Sequence, residues 1–185
     1  GLMRGYWNRP DAAAGTVDDE GWFHTGDIGE LDDDGYLRIT DRLKDIIVTA
    51  GGKNVAPQPV EQHAARSPYV AQAVLIGDRR PFPVLLVVPA WDRVAEWAAE
   101  HGVDLTDLRA AAEHPRLVAL IEAETIGRMR GFARHETPKR VALIPSEFTV
   151  EAGLLTPTLK TRRRQIERAY GEVIDRLYED ARHRA

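Results

Sequence analysis

Two apolar runs, Val70–Ile76 and Pro83–Val88, constrain this chain more than any other stretch. Both are short and rich in β-branched residues, and Gly77 to Pro81 turns the chain between them. Runs of this length bounded by turn residues read as a pair of strands at the centre of the fold.

Shorter strand signals precede them. Ile28–Leu31 and Tyr36–Thr40 flank Asp33-Asp34-Gly35, whose Asp-Gly pair suits a hairpin turn. Ile46 to Thr49 is a further short strand running into the glycine turn Gly51-Gly52. Pro57 opens a helix through about Arg66, because proline fits a first helical turn. Trp91–Glu100, Thr106–Ala112 and Pro115–Phe132 have helical composition, Val141–Ile144 is expected to be a strand, and Phe148–Val150 a second short one. Thr161 is expected to cap a last helix with an apolar stripe of Ile166, Ala169, Tyr170, Val173, Ile174, Leu177 and Tyr178. Strands separated by helices predict an α+β (mixed α/β) fold, with a β-hairpin and a short sheet packed by helices. The expected organisation is a β-rich piece at 1–42 and an α+β domain at 43–185.

Composition narrows the function classes. A net charge of −4 gives no global reason to expect a nucleic-acid partner. With no cysteine there is no disulfide, thiolate metal site or thiol nucleophile, which suits a reducing cytoplasm. No apolar run approaches the roughly 20 residues that span a bilayer. The start does not read as a signal peptide and looks cut from a larger protein. Only four of the 25 Lys and Arg residues are lysines, a bias that suits a GC-rich bacterial source.

Some motif matches fail on their chemistry. The acidic turn from Glu30 to Asp34 mimics a calcium loop, but lacks the first Asp and the last bidentate Glu. Gly52-Lys53 resembles the end of a phosphate loop, but Ile47 stands where its first Gly belongs and Asn54 replaces Ser/Thr. The six histidines show no paired spacing, so no metal site is expected. Arg162-Arg163-Arg164 is either the solvated first turn of the last helix or a patch for phosphate or an anionic membrane.

Three further blocks stand in order: Gly21-Trp22-Phe23-His24-Thr25-Gly26-Asp27, then Asp41-Arg42-Leu43-Lys44-Asp45 running to Gly51-Gly52-Lys53-Asn54, then Leu155-Thr156-Pro157-Thr158-Leu159-Lys160. Together they resemble the closing motifs of the adenylate-forming (AMP-binding) enzymes, in particular long-chain fatty-acid–CoA ligases. The resemblance covers nearly the whole chain but only that family's C-terminal end. It implies that 1–42 is the edge of a large adenylation domain and 43–185 a mobile lid. It also implies that Asp27 and Arg42 bind the nucleotide ribose, that Lys44 is the hinge, and that Gly51 and Gly52 flank the CoA arm. Lys160 becomes the catalytic lysine of adenylation. The family's commoner form has Ser/Gly-Gly-Lys where this chain has Thr158-Leu159-Lys160. The implied substrates are a fatty acid, ATP with Mg2+ held mainly by the upstream domain, and CoA. The implied location is cytoplasmic, with room for peripheral contact at the inner face of the membrane. Alternatives are a fatty acyl-AMP ligase that loads a carrier protein and a non-enzymatic anion- or membrane-binding module.

Overall fold

The computed structural model describes residues 3, 7–8 and 16–183, with side chains as far as 180. It divides into two compact units, Gly1–Ile46 and Ile47–Ala185.

In the first unit, β1 (Asp27–Leu31) pairs antiparallel with β2 (Leu37–Arg42). The acidic hairpin turn is organised by Asp32, whose Oδ1 accepts the N–H groups of Asp34 and Tyr36. A bulge interrupts the ladder between Ile28 and Gly29, where Ile28 faces Asp41 and Gly29 faces Ile39. The extra residue, Thr40, resets the alternation of faces ahead of Asp41-Arg42. Gly29 is needed there: a Cβ would lie 2.9 Å from Leu37 Cδ1 and 3.1 Å from the Arg38 carbonyl. A 3-10 turn, Leu43–Asp45, closes the unit.

The second unit opens with the two-residue strands β3 (Ile47–Val48) and β4 (Asn54–Val55), paired antiparallel, and the helix α1 (Pro57–Ala64). Next come β5 (Val70–Ile76), β6 (Val84–Pro89), α2 (Trp91–His101), α3 (Leu108–Ala112) and α4 (Pro115–Glu124). The chain ends with β7 (Val141–Leu143), α5 (Arg163–Ala169) and α6 (Gly171–His183). The sheet order is β5-β6-β7, with β5 and β6 antiparallel and β6 and β7 parallel. The expected central hairpin is therefore present.

Its hydrophobicity, broken only by Gln72 in β5, has a simple cause: both faces are covered. Leu75, Leu85 and Val87 point to one core with Val60 of α1 and Leu117 and Ile121 of α4. Val74, Val84, Leu86 and Val88 point to the other, with Phe148, Ile166, Ile174 and Tyr178. Each such side chain contributes roughly 1.5–3 kcal/mol of transfer free energy.

Several local expectations change. Helix α4 stops at Glu124 rather than running to Phe132, because the buried Thr125 takes φ −103 and ψ −81 and its hydroxyl donates to the Ile121 carbonyl. Phe148–Val150 is not a strand; the Gln72 side-chain amide, instead of a neighbouring strand, pairs with both the N–H and the carbonyl of Phe148. Thr161 does not cap the last helix but bridges to Leu155, and Arg162 precedes α5 with no side-chain cap. That helix is also broken at Tyr170 before Gly171, which leaves Ala169 exposed while Ile166, Ile174 and Tyr178 stay buried.

Candidate functional site

In the first unit the structure brings two of the expected residues together. Asp27 and Arg42 face each other at the end of the β1–β2 ladder, and Arg42 Nε lies 3.1 Å from Asp27 Oδ1. The Asp27 N–H is held by the Thr25 hydroxyl. Buried Asp41 accepts the Arg42 N–H at 2.7 Å, so the bulged strand is fixed just where Arg42 departs from it. The ion pair uses one oxygen of Asp27 and Nε of Arg42, so Oδ2 and the two terminal guanidinium nitrogens lie outside this contact. A carboxylate oxygen and guanidinium donors, side by side and partly exposed, can bind a vicinal diol. Lys44 follows as the exposed middle residue of the 3-10 turn, whose first N–H, from Leu43, donates to the Gly26 carbonyl.

In the second unit Gly51 and Gly52 form the tip of the β3–β4 hairpin. Thr49 builds the tip: its N–H donates to the Lys53 carbonyl, its carbonyl accepts the Gly52 N–H, and its hydroxyl accepts the Lys53 N–H. Gly52 has φ +71, a conformation that favours glycine. Gly51 has no such φ, and a Cβ at either glycine would meet nothing within 4 Å. The tip is tied to the β5–β6 turn through Arg79 N–H to the Val48 carbonyl and Ala50 N–H to the Arg80 carbonyl.

Lys160 ends a tight exposed loop. Thr156 closes it, donating its N–H to the Lys160 carbonyl and accepting the Lys160 N–H on its hydroxyl. Leu159, 72% exposed, takes φ +59, the left-handed region that non-glycine residues rarely enter. The arginine run does not form one surface patch. Arg163 is mostly buried, and its Nη1 donates to Glu61 Oε1 and to the Leu75 carbonyl, each at 2.5 Å. Arg162 and Arg164 are exposed. Among the described residues, no group of three or more His, Cys, Asp or Glu is placed to hold a metal ion, and no helix is long and apolar enough to cross a membrane.

Residues 44–114 match the family described as the AMP-binding enzyme C-terminal domain. The chain is 36% identical over 181 residues to the long-chain-fatty-acid–CoA ligase FadD15 of Mycobacterium tuberculosis, covering 96% of this chain and 30% of that ligase. The chain belongs to the adenylate-forming, AMP-binding enzymes. It is also 36% identical over 185 residues to the peroxisomal long chain acyl-CoA synthetase 6 of Arabidopsis thaliana, covering 97% of this chain and 26% of that enzyme. Among solved adenylate-forming structures, its fold is similar to the adenylation domain of a Mycobacterium chelonae carboxylate reductase, with a TM-score of 0.77 and 27% identity over 96% of this chain and 26% of that one. The corresponding domain from Segniliparus rugosus, solved with AMP and a co-purified carboxylic acid, gives a TM-score of 0.70 at 26% identity over 97% of this chain and 27% of that one. The chain thus spans under a third of the length of these AMP-binding relatives.

Sequence reasoning missed the part played by Thr49. Thr49 and Thr156 each use backbone and hydroxyl together to close the loops that carry the expected residues. A Thr placed four residues before Lys53 or Lys160 was the available signal. The link between Glu61 and Arg163, 102 residues apart, left none.

Proposed function

We propose that this chain is the C-terminal part of a long-chain fatty-acid–CoA ligase, with 1–42 the edge of its large domain and 43–185 its mobile lid. The observation that carries the reading is the 36% identity to a long-chain fatty-acid–CoA ligase over 96% of this chain.

The reaction has two halves. A fatty carboxylate oxygen attacks the α-phosphorus of ATP and pyrophosphate leaves; the CoA thiolate then attacks the acyl carbon and AMP leaves. Asp27 and Arg42 hold the ribose hydroxyls. Lys160 offsets the repulsion between carboxylate and phosphate as they meet, the kind of charge stabilisation that lowers such a barrier. Rotation about Lys44 then exchanges the Lys160 loop for the Gly51-Gly52 tip, where the open space around Gly51 admits the CoA arm. Mg2+ accompanies ATP and is held mainly by the rest of the enzyme, which works in the cytoplasm or against the inner face of the membrane.

A second acceptor is favoured by one observation: a carboxylate reductase adenylation domain solved together with its PCP domain matches at a TM-score of 0.71 and 27% identity. The test is to supply the full-length protein with ATP, Mg2+ and palmitate, then offer CoA or a phosphopantetheinylated carrier protein. Pyrophosphate release followed by palmitoyl-CoA supports the ligase; thioester only on the carrier supports the second reading. Pyrophosphate release by the 185-residue chain alone would contradict its role as a lid.

A further inference from the structure

The ion pair between Glu61 and Arg163 lies at an unusual junction. Arg163 is the first residue of α5, three residues after Lys160. Glu61 lies in α1, the helix that follows the Gly51-Gly52 hairpin. The two side chains are only 17% and 14% exposed, so this is not a screened surface pair.

They meet on the open edge of the sheet. Leu75 of β5 is paired with Leu85, whose N–H donates to the Arg140 carbonyl on the β7 side. In an antiparallel ladder this turns the N–H and carbonyl of Leu75 away from β6, towards the unpaired edge of β5. Glu61 Oε1 accepts that N–H at 2.7 Å, and Arg163 Nη1 donates to that carbonyl. A carboxylate and a guanidinium thus take the place of a missing strand.

We propose that Arg163 is a positioning residue for Lys160, with Glu61 as its anchor. The inference rests on the assignment of Lys160 to adenylation. The Lys160 loop is exposed and strained at Leu159, and three bonds with Thr156 and one from Arg162 N–H to the Leu154 carbonyl hold it locally. Those bonds fix the loop's shape, and Leu154 and Ile166, buried on one face of the sheet, seat its two flanks. Arg163, between Lys160 and Ile166, adds the polar anchor, because its guanidinium grips both the carboxylate of α1 and the backbone of β5. Removing Arg163 leaves the Glu61–Leu75 bond in place, so α1 and the glycine hairpin before it keep their anchor. The two loops therefore differ in their dependence on Arg163.

The experiment uses the full-length ligase with Arg163→Ala, Arg163→Lys and Glu61→Gln beside Lys160→Ala. Arg163→Ala is expected to slow acyl-adenylate formation roughly 10- to 100-fold, in kcat rather than in KM for ATP, while thioester formation from supplied acyl-AMP changes by less than about twofold. Arg163→Lys, which keeps the charge but loses the planar fork, should recover part of the loss. Amide hydrogen exchange at 159–162 should quicken in Arg163→Ala and not at 51–55. Where Arg163→Ala fails to fold, Glu61→Gln and Arg163→Lys should show the same selective loss at smaller size. Equal slowing of both half-reactions in the folded variants, or unchanged exchange at 159–162, overturns the proposal. If Lys160→Ala itself leaves adenylation unchanged, the assignment of Lys160 fails, and the exchange data alone decide whether Arg163 positions the loop.

Discussion

Thr156 and Lys160 close their loop on each other, with N–H to carbonyl at 2.8 Å in one direction and N–H to hydroxyl at 3.0 Å in the other. The same hydroxyl lies 3.0 Å from that of Thr158. Thr156→Val keeps the shape of the side chain and removes the hydroxyl. It should cost about 1 kcal/mol, with Thr156→Ser nearer to neutral, measured by urea unfolding of this chain. Equal losses in the two variants would show that the hydroxyl does not hold the loop.

Leu159 pays for its φ of +59 with backbone strain and stands 72% exposed, so its side chain returns little packing within this chain. Leu159→Gly should be stabilising by up to about 1 kcal/mol, where the same change in an ordinary loop is destabilising. The thermal midpoint of the two chains, measured side by side, gives the sign directly. This also accounts for the glycine that the commoner form of the motif carries near this point.

Burial lifts the Glu167 carboxyl above its ordinary value of 4.5; Arg163, Arg80 and Arg164 work against the shift and Asp78 adds to it. The folded chain therefore holds this proton more tightly than the unfolded one. The group's stabilising contribution is complete below 4.5 and is lost as pH rises through the raised value. Glu167→Gln should raise the midpoint at neutral pH by a few degrees at most, since solvent screens a half-exposed group. That gain should vanish on acidification below the ordinary carboxylate range. A pH-independent difference would assign the effect to packing.

Lys44 occupies the middle of the 3-10 turn Leu43–Asp45. Lys44→Pro fixes φ near −65° at that point. In the full-length protein it should leave one half-reaction largely intact and collapse the other, once circular dichroism shows normal folding. Matched losses in both would remove Lys44 as the pivot.

The strands were legible where the sequence reports burial directly. Val84–Pro89, and Val70–Ile76 apart from Gln72, are apolar because cores lie on both faces of the sheet, and among the described residues no other strand of that length has that pattern. Helix ends were less legible. The stops at Thr125 and Tyr170 come from one buried hydroxyl and one turn before Gly171, neither of which disturbs the apolar period enough to mark an end. In the site, Asp27 and Arg42 could be expected near each other from the hairpin, but the Thr40 bulge that sets their register has no sequence mark. The arginine run misled for a related reason: composition cannot distinguish an inward Arg163 from its outward neighbours.

The central claim is that this chain brings Lys160 to the first half-reaction and removes it for the second. The most direct measurement is Lys160→Ala in the full-length protein, with the two half-reactions followed separately. Acyl-adenylate formation should slow by roughly 10²–10³-fold, the scale for losing one transition-state charge contact, and Lys160→Arg should rescue it poorly. Thioester formation from pre-made acyl-AMP and CoA should be nearly unchanged. Equal damage to both half-reactions, or an undisturbed first one, would contradict the account.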